Sequence, residues 1–376
     1  MRSVQPSAFQ LGKLLLPWYV KARRRLPWRE NPTPYSVWVS EIMLQQTRVE
    51  TVIPYYRRFL QRLPDIQALA TAPLEEVLAL WSGLGYYRRA RALHAGARLV
   101  LAKHHGVFPR DWKVALDIPG VGPYTAGAVL SIAYNLPLPV VDGNVERVLT
   151  RLFRMHGDPR KNKTQKVLRA FAEGQIPPGR AADFNQALME LGATVCTPLS
   201  PRCNLCPLAG LCRARRRGDM TRYPESATAR KSIQLTLHAG IVRNKTRFLL
   251  ERVTQGSFLR GLWLFPYTEV ESAKVRRGGR GGSGKLGEPQ ASKELLSSLS
   301  QKLGVSLVNA THLGNVSHSI TYRRIRVEVF ELLPPKEQGF SRLSGHLRWA
   351  RLEELGSSVP VSSLALKVAE LTRNSE

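Results

Sequence analysis

The distribution of apolar and polar positions divides the chain in two. From Leu11 to about Lys103, apolar residues recur at helical spacing between turns marked by Pro and Gly: Asn31-Pro-Thr-Pro34, Leu63-Pro-Asp65, Ala72-Pro73 and Ser82-Gly-Leu-Gly85. No strand-like alternation of useful length interrupts them. Thr33-Pro34 makes a helix start, and the helix it opens carries Val37 through Thr47. Helical spacing continues through Thr164–Gln175 and Phe184–Val195, so this half is expected to be all-α. A basic, polar connector from Arg213 to Lys231, expected to be mobile, separates it from a different pattern. Gln234–Val242, Phe248–Leu250 and Ile325–Leu332 alternate as strands do, and Val359–Thr372 reads as a closing helix. The second half is therefore α+β.

Composition sharpens this picture. A length of 376 residues suits two or three domains, and a net charge of +28 favours a polyanionic partner. No apolar run is long enough to span a bilayer, so the interleaved aromatics and basic residues point to nucleic acid rather than a membrane. The Arg- and Ser-bearing start of the chain mildly resembles an organellar transit peptide. Leu26-Pro-Trp-Arg29 follows so soon that the segment before it is read as a first helix, and the protein as cytoplasmic, in a bacterial nucleoid. The Gly- and Arg-rich stretch Arg276–Gly287, within an insert from about 272 to 292, is expected to be disordered. Its Gly279-x4-Gly284-Lys285 is not a phosphate loop, because Leu286 stands where Ser or Thr is required and no buried strand precedes it.

The densest chemical signal is Ile118-Pro-Gly-Val-Gly-Pro-Tyr-Thr125 running on to Val141-Asp142-Gly-Asn-Val-Glu-Arg147. Gly120 and Gly122 allow a tight turn into a helix, and outward amides at such a turn bind an anion. Nothing here resembles a nucleotide-binding strand, so a nucleic-acid phosphate is the expected ligand. Asp142 falls at or next to a helix N-cap, where free amides and the helix dipole favour its charged form. Glu41, beside Trp38, Ile42 and Leu44, has apolar surroundings that raise a carboxyl pKa. Taken alone, either acid is more commonly a solvated helix residue or a simple cap. All four cysteines lie in Cys196-x6-Cys203-x2-Cys206-x5-Cys212; such clustering points to a metal in a reducing compartment, and the spacing alone admits zinc or a [4Fe–4S] cluster.

Ile-Pro-Gly-Val-Gly-x-x-Thr-Ala resembles the helix-hairpin-helix of base-excision DNA glycosylases, and Val-Asp-Gly-Asn-Val-x-Arg resembles their aspartate-bearing segment. With the cysteine cluster, the chain is similar to the adenine DNA glycosylases of the MutY type, most strongly up to about residue 225. The resemblance implies an all-α glycosylase core over 1–222, with a six-helix barrel and hairpin at about 30–136 and a cluster-bearing helical domain from 1–29 plus 137–222. It further implies a linker at 223–232 and an α+β Nudix-like domain over 233–376 that senses 8-oxoguanine. In Ser40-Glu41-x-Met-Leu-Gln-Gln-Thr47, Glu41 would protonate adenine at N7, and Asp142 would stabilise the oxocarbenium-like sugar. Tyr124 stands where glycosylases of the endonuclease III type carry a lysine, which implies a monofunctional hydrolase without Schiff-base strand cleavage. Gln46 and Tyr86 match residues that fill the gap left by a flipped base. Trp28, Arg29, Asn144 and Gln186 match the adenine pocket; Gly120, Val121 and Gly122 match the phosphate-binding hairpin.

The four cysteines would hold one structural [4Fe–4S] cluster, presenting Arg202 and Arg213 to DNA. Arg260-Gly-Leu-Trp-Leu-Phe-Pro266 resembles the Nudix-like domain, and Val316-Ser317-His318 aligns with a Phe-Ser-His loop of lesion contacts, Val replacing Phe. Ser292–Gly304 contains only Glu294 of the acidic set a Nudix hydrolase needs, so pyrophosphatase activity is not expected. The implied partner is duplex DNA with an A:8-oxoguanine or A:G mispair, bound by a monomer. Rival readings are a glycosylase for another base and a non-catalytic DNA binder of the same fold.

Overall fold

The computed structural model describes residues 9–225, 232–254, 259–270, 288–304, 306–320, 322–333 and 345–373. It divides into two compact units: Met1–Ala72 with Arg91–Ala229, and Pro73–Ala90 with Arg230–Glu376. In chain order the first helices are α1 (Gln10–Ala22), α2 (Pro27–Glu30), α3 (Pro34–Leu44), α4 (Val49–Arg62), α5 (Ile66–Thr71), α6 (Leu74–Leu80) and α7 (Arg88–His104). There follow α8 (Trp112–Leu116), α9 (Pro123–Tyr134), α10 (Gly143–Phe153), α11 (Asn162–Glu173), α12 (Ala181–Thr194) and α13 (Arg213–Arg217). The remaining elements are β1 (Ile233–Asn244), β2 (Arg247–Arg252), β3 (Trp263–Leu264), β4 (Tyr267–Val270), α14 (Glu288–Leu303), β5 (Asn309–Ile320), β6 (Arg323–Leu333), β7 (Leu347–Arg351) and α15 (Ser363–Arg373).

In the first unit, every described element is helical. The helix starts are chemically explicit. Thr33 and Ser36 form a reciprocal capping box across Pro34, while Asp65, Asp111 and Asp142 each accept an amide hydrogen bond in the first turn of α5, α8 and α10. Helix α3 is buried on all sides from Tyr35 to Met43 and packs on α9. A helix apolar all round belongs in a core, so its one charged residue, Glu41, goes in with it. A second core forms where α10 buries Val145, Val148, Leu149 and Leu152 against Phe184, Leu188 and Leu191 of α12 and Leu11, Leu15 and Tyr19 of α1. Gly192 makes the α10–α12 crossing possible, since a Cβ there would lie 2.6 Å from the Asn144 Cβ.

The connector expected to be mobile from Arg213 is ordered over its first part: α13 forms, and Tyr223 is buried and accepts from Arg151 Nε at 3.0 Å. Its last residues, 226–231, lie outside the described ones.

The second unit is built on a sheet ordered β3-β2-β1-β6-β5, with β4 paired to β1 and β7 to β2. Strands β1 and β6 are parallel, Ile233 facing Arg323 through Val242 facing Leu332, and the other pairings are antiparallel. Helix α14 lays Leu295, Leu299 and Leu303 over Val242, Phe330 and Leu332. The expected insert lies outside the described residues over 271–287, but from Glu288 the chain is helical, which shortens it. The closing helix begins at Ser363 rather than Val359, because 359–361 runs extended: Trp263 N donates to Pro360 O at 2.9 Å, and Val361 bridges Trp263. Strand β5 was not expected, since its sequence is mostly polar; Val316, Ser317 and His318 lie within it and not in a loop. Among the described residues, no helix is long and apolar enough to cross a membrane.

Candidate active site

Glu41 (α3), Tyr124 (first turn of α9) and Asp142 (N-cap of α10) line one cavity of about 790 Å³, within the roughly 300–1,000 Å³ usual for small-molecule sites. Trp28, Arg29, Gln46, Gly120, Gly122, Asn144 and Gln186 line it too. Its whole lining comes from the first unit.

Glu41 is 3% exposed, and the Tyr124 hydroxyl donates to its Oε2. Burial pushes its carboxyl up to about 7, reinforced by the Asp142 charge and opposed by the Tyr124 hydrogen bond and Arg29. Near neutrality this acid therefore carries a transferable proton. Burial and the two carboxyls push the Tyr124 phenol far above its ordinary range, so it remains a donor.

Asp142 departs from expectation. Its carboxylate accepts from Val145 N and Asn144 Nδ2, both at 2.8 Å, and these bonds with Arg147 favour the anion. Burial nevertheless outweighs them, and its pKa is raised rather than lowered. The two carboxyls are thus not in opposite environments. They differ in their partners: Tyr124 and Arg29 favour the charged form of Glu41, while Val145, Asn144 and Arg147 favour that of Asp142.

Several residues that frame the site were not singled out from the sequence. Glu190, fully buried, takes Arg24 bidentately at 2.8 and 3.1 Å and Arg29 Nη2 at 2.8 Å, fixing the cation that faces Glu41. A lone acid in the apolar run Ala187–Gly192 was the available signal. Arg147 donates to Asn144 Oδ1 (2.9 Å), Cys196 O (2.8 Å) and Gly192 O (2.8 Å), tying the Asp142 turn to α12 and the cysteine segment. It closes the motif Val-Asp-Gly-Asn-Val-x-Arg, which marks the position but not these distant partners.

At the hairpin, Gly120 has φ +80° and lies 2.7 Å, measured from an added Cβ, from the Ala92 Cβ, so only glycine fits. Val121 N donates to Ile118 O at 3.0 Å and its side chain is buried. Gly122 is the N-cap of α9, and no side chain caps the amides of that helix's first turn. Gln46 and Tyr86 are both exposed and both sit at positive φ, +58° and +52°. Such non-glycine residues are held at a cost and concentrate at functional positions. Tyr86 belongs to the second unit and is not part of the cavity lining. Ser317 is exposed on β5 and His318 half-buried, its pKa lowered by burial and Lys367.

The four cysteines are unpaired and line a second, small, mainly apolar cavity together. Buried Arg151 brings Nη1 to 3.4 Å from Cys196 Sγ. Among the described residues, no group of three or more His, Cys, Asp or Glu is arranged to hold a single metal ion.

A model of the HhH-GPD superfamily of base excision DNA repair proteins matches residues 39–173. The structure of a thermostable thymine-DNA glycosylase is similar at a TM-score of 0.50 and 31% identity, over 55% of this chain and 94% of that one. Fold and hairpin define a DNA glycosylase of the helix-hairpin-helix class. Adenine DNA glycosylase of Mus musculus is 36% identical over 94% of this chain and 76% of its own length, and that of Homo sapiens 34% identical over 94% and 72%. The chain belongs to the adenine DNA glycosylases, enzymes of base excision repair.

Proposed function

We propose that the chain hydrolyses the N-glycosidic bond of adenine mispaired with 8-oxoguanine or guanine in duplex DNA, and does so without strand cleavage. One observation carries this: a buried Glu41, its carboxyl pushed up to about 7, and an amide-held Asp142 line the same cavity. In this reading the adenine is extruded into the cavity. Glu41 gives its proton to N7, the C1′–N9 bond breaks, and adenine leaves neutral. The positive sugar is met by the Asp142 carboxylate, and water adds to C1′, its released proton returning to Glu41. Tyr124 holds the Glu41 carboxyl in place; a phenol forms no Schiff base, which is why no lyase step follows. Arg29, pinned by Glu190, and Asn144, pinned by Arg147, orient the base and Asp142; Trp28 and Gln186 complete the walls. Gln46 and Tyr86 fill the gap in the stack, and the Gly120 and Gly122 amides take backbone phosphate.

Cys196, Cys203, Cys206 and Cys212 suit a [4Fe–4S] cluster: four sulfur donors share one cavity, and the Arg151 guanidinium lies 3.4 Å from Cys196 Sγ. When bound, the cluster supplies cross-linking of segment 196–212 and no reaction step. The second unit, a mixed sheet flanked by α14 and α15, is read as a Nudix-like lesion sensor with Ser317 and His318 among its contacts.

A duplex panel varying target base and its opposite, assayed with and without alkali, tests the reading. Adenine should be released only opposite 8-oxoguanine or guanine, with breaks appearing only after alkali. Release of thymine, or nicking without alkali, overturns it. The purified protein should also be brown and contain about four irons, whereas one bound zinc refutes the cluster.

A further inference from the structure

Tyr86 sits in a loop held partly by its own hydrogen bonds and partly by residues far away in the chain. Gly83, Gly85 and Tyr86 all have positive φ, +94°, +77° and +52°. The two glycines adopt such φ freely, but Tyr86 in the left-handed region persists only where its surroundings determine it. Part of those surroundings is one short segment near the chain's other end. Tyr87, 4% exposed, uses its hydroxyl twice, accepting from Gly83 N at 3.0 Å and donating to Val361 O at 2.7 Å. Val361 N donates to the buried Ser82 Oγ at 3.1 Å, and Ser363 Oγ donates to Gly83 O at 3.1 Å. Helix α6, just before the loop, is tied to the same unit: Glu75 Oε1 accepts from Trp263 Nε1 at 3.2 Å and from Arg348 at 3.1 Å. Within the loop, Gly85 O accepts from Trp81 Nε1 and from Arg89 Nη2, both at 3.1 Å, and the Arg89 guanidinium lies 5.2 Å from the Tyr86 ring centroid. The exposed ring is thus displayed on a frame whose outer supports are residues 361–363.

We infer that segment Val361–Ser363 sets the backbone of the loop presenting Tyr86, making Tyr87 and Ser363 positioning residues for the insertion of Tyr86 into the stack. This rests on Tyr86 acting as the wedge. Residues 230–376 would then do more than contact the lesion, since their fold would also determine whether the wedge is correctly shaped.

The test uses the full chain and duplexes carrying fluorescent 2-aminopurine next to the target adenine, read with single-turnover excision. Tyr87→Phe keeps the ring and removes both hydroxyl bonds; Ser363→Ala removes one half-buried contact and guards against a folding failure. Each should reduce the unstacking signal and slow excision, Tyr87→Phe by about tenfold, the scale of one coupled contact. The pH profile of excision should not move, because Glu41 is untouched. On a Tyr86→Ala background both substitutions should add nothing. If Tyr86→Ala itself leaves the signal unchanged, the wedge reading fails. If Tyr86→Ala abolishes it while Tyr87→Phe and Ser363→Ala behave as wild type, or if the effects multiply in the double variants, the wedge stands and the anchoring is wrong.

Discussion

Replacing Glu41 by Gln separates stability from catalysis. Glutamine keeps the volume and can still accept from the Tyr124 hydroxyl, so it isolates the proton and the charge. The carboxyl rises from 4.5 to about 7 on folding. At about 1.4 kcal/mol per unit, ionising it inside the folded protein costs about 3 kcal/mol more than in the unfolded chain. Because the folded value lies above the unfolded one, the advantage of the neutral acid is complete below about pH 4.5. It is lost as pH rises toward 7, and above that the wild type carries the full penalty. Glutamine carries none. Urea denaturation should therefore give Glu41→Gln nearly equal to wild type at pH 4.5 and more stable by up to about 3 kcal/mol at pH 8. Excision should fall by roughly 10²- to 10⁴-fold, the usual worth of a general acid, while mispair binding persists. A stability difference that is the same at both pH values would show that this carboxyl does not titrate with a raised pKa, and the argument for a stored proton would collapse. Retained excision would dismiss Glu41 as the acid even if the titration were correct.

Asp142→Asn should change stability by less than about 1 kcal/mol, because Asn caps α10 as well as Asp does. Its excision should drop at least about 100-fold as the anion facing the sugar is lost, and near-normal turnover would leave Asp142 a cap alone. Tyr124→Phe removes the hydroxyl that holds the Glu41 pKa down, so the alkaline fall in excision should move to higher pH as the rate declines; an unmoved limb contradicts the coupling.

The sequence by itself determined much of the local structure. Proline and glycine punctuation, Thr33-Pro34 and the Asp142 turn write helix starts in residues that act within one turn, and α3 and α10 begin where that chemistry requires. It also marked Glu41, Tyr124 and Asp142 individually. Their convergence on one cavity depended on packing across residues far apart in the chain, α3 against α9 and α10 against α12, which no local pattern records. Burial is likewise a tertiary quantity: the N-cap bonds of Asp142 follow from its neighbours, but the desolvation that overrides them comes from what closes over it. The same holds for Glu190 and Arg147, whose partners are up to 166 residues away. Strand β5, polar along most of its length, becomes a strand only because β6 offers it a hydrogen-bonding edge. The loop of Tyr86 takes its shape from Val361 and Ser363, since the hydrogen bonds that determine a strained backbone can come from anywhere the fold brings near.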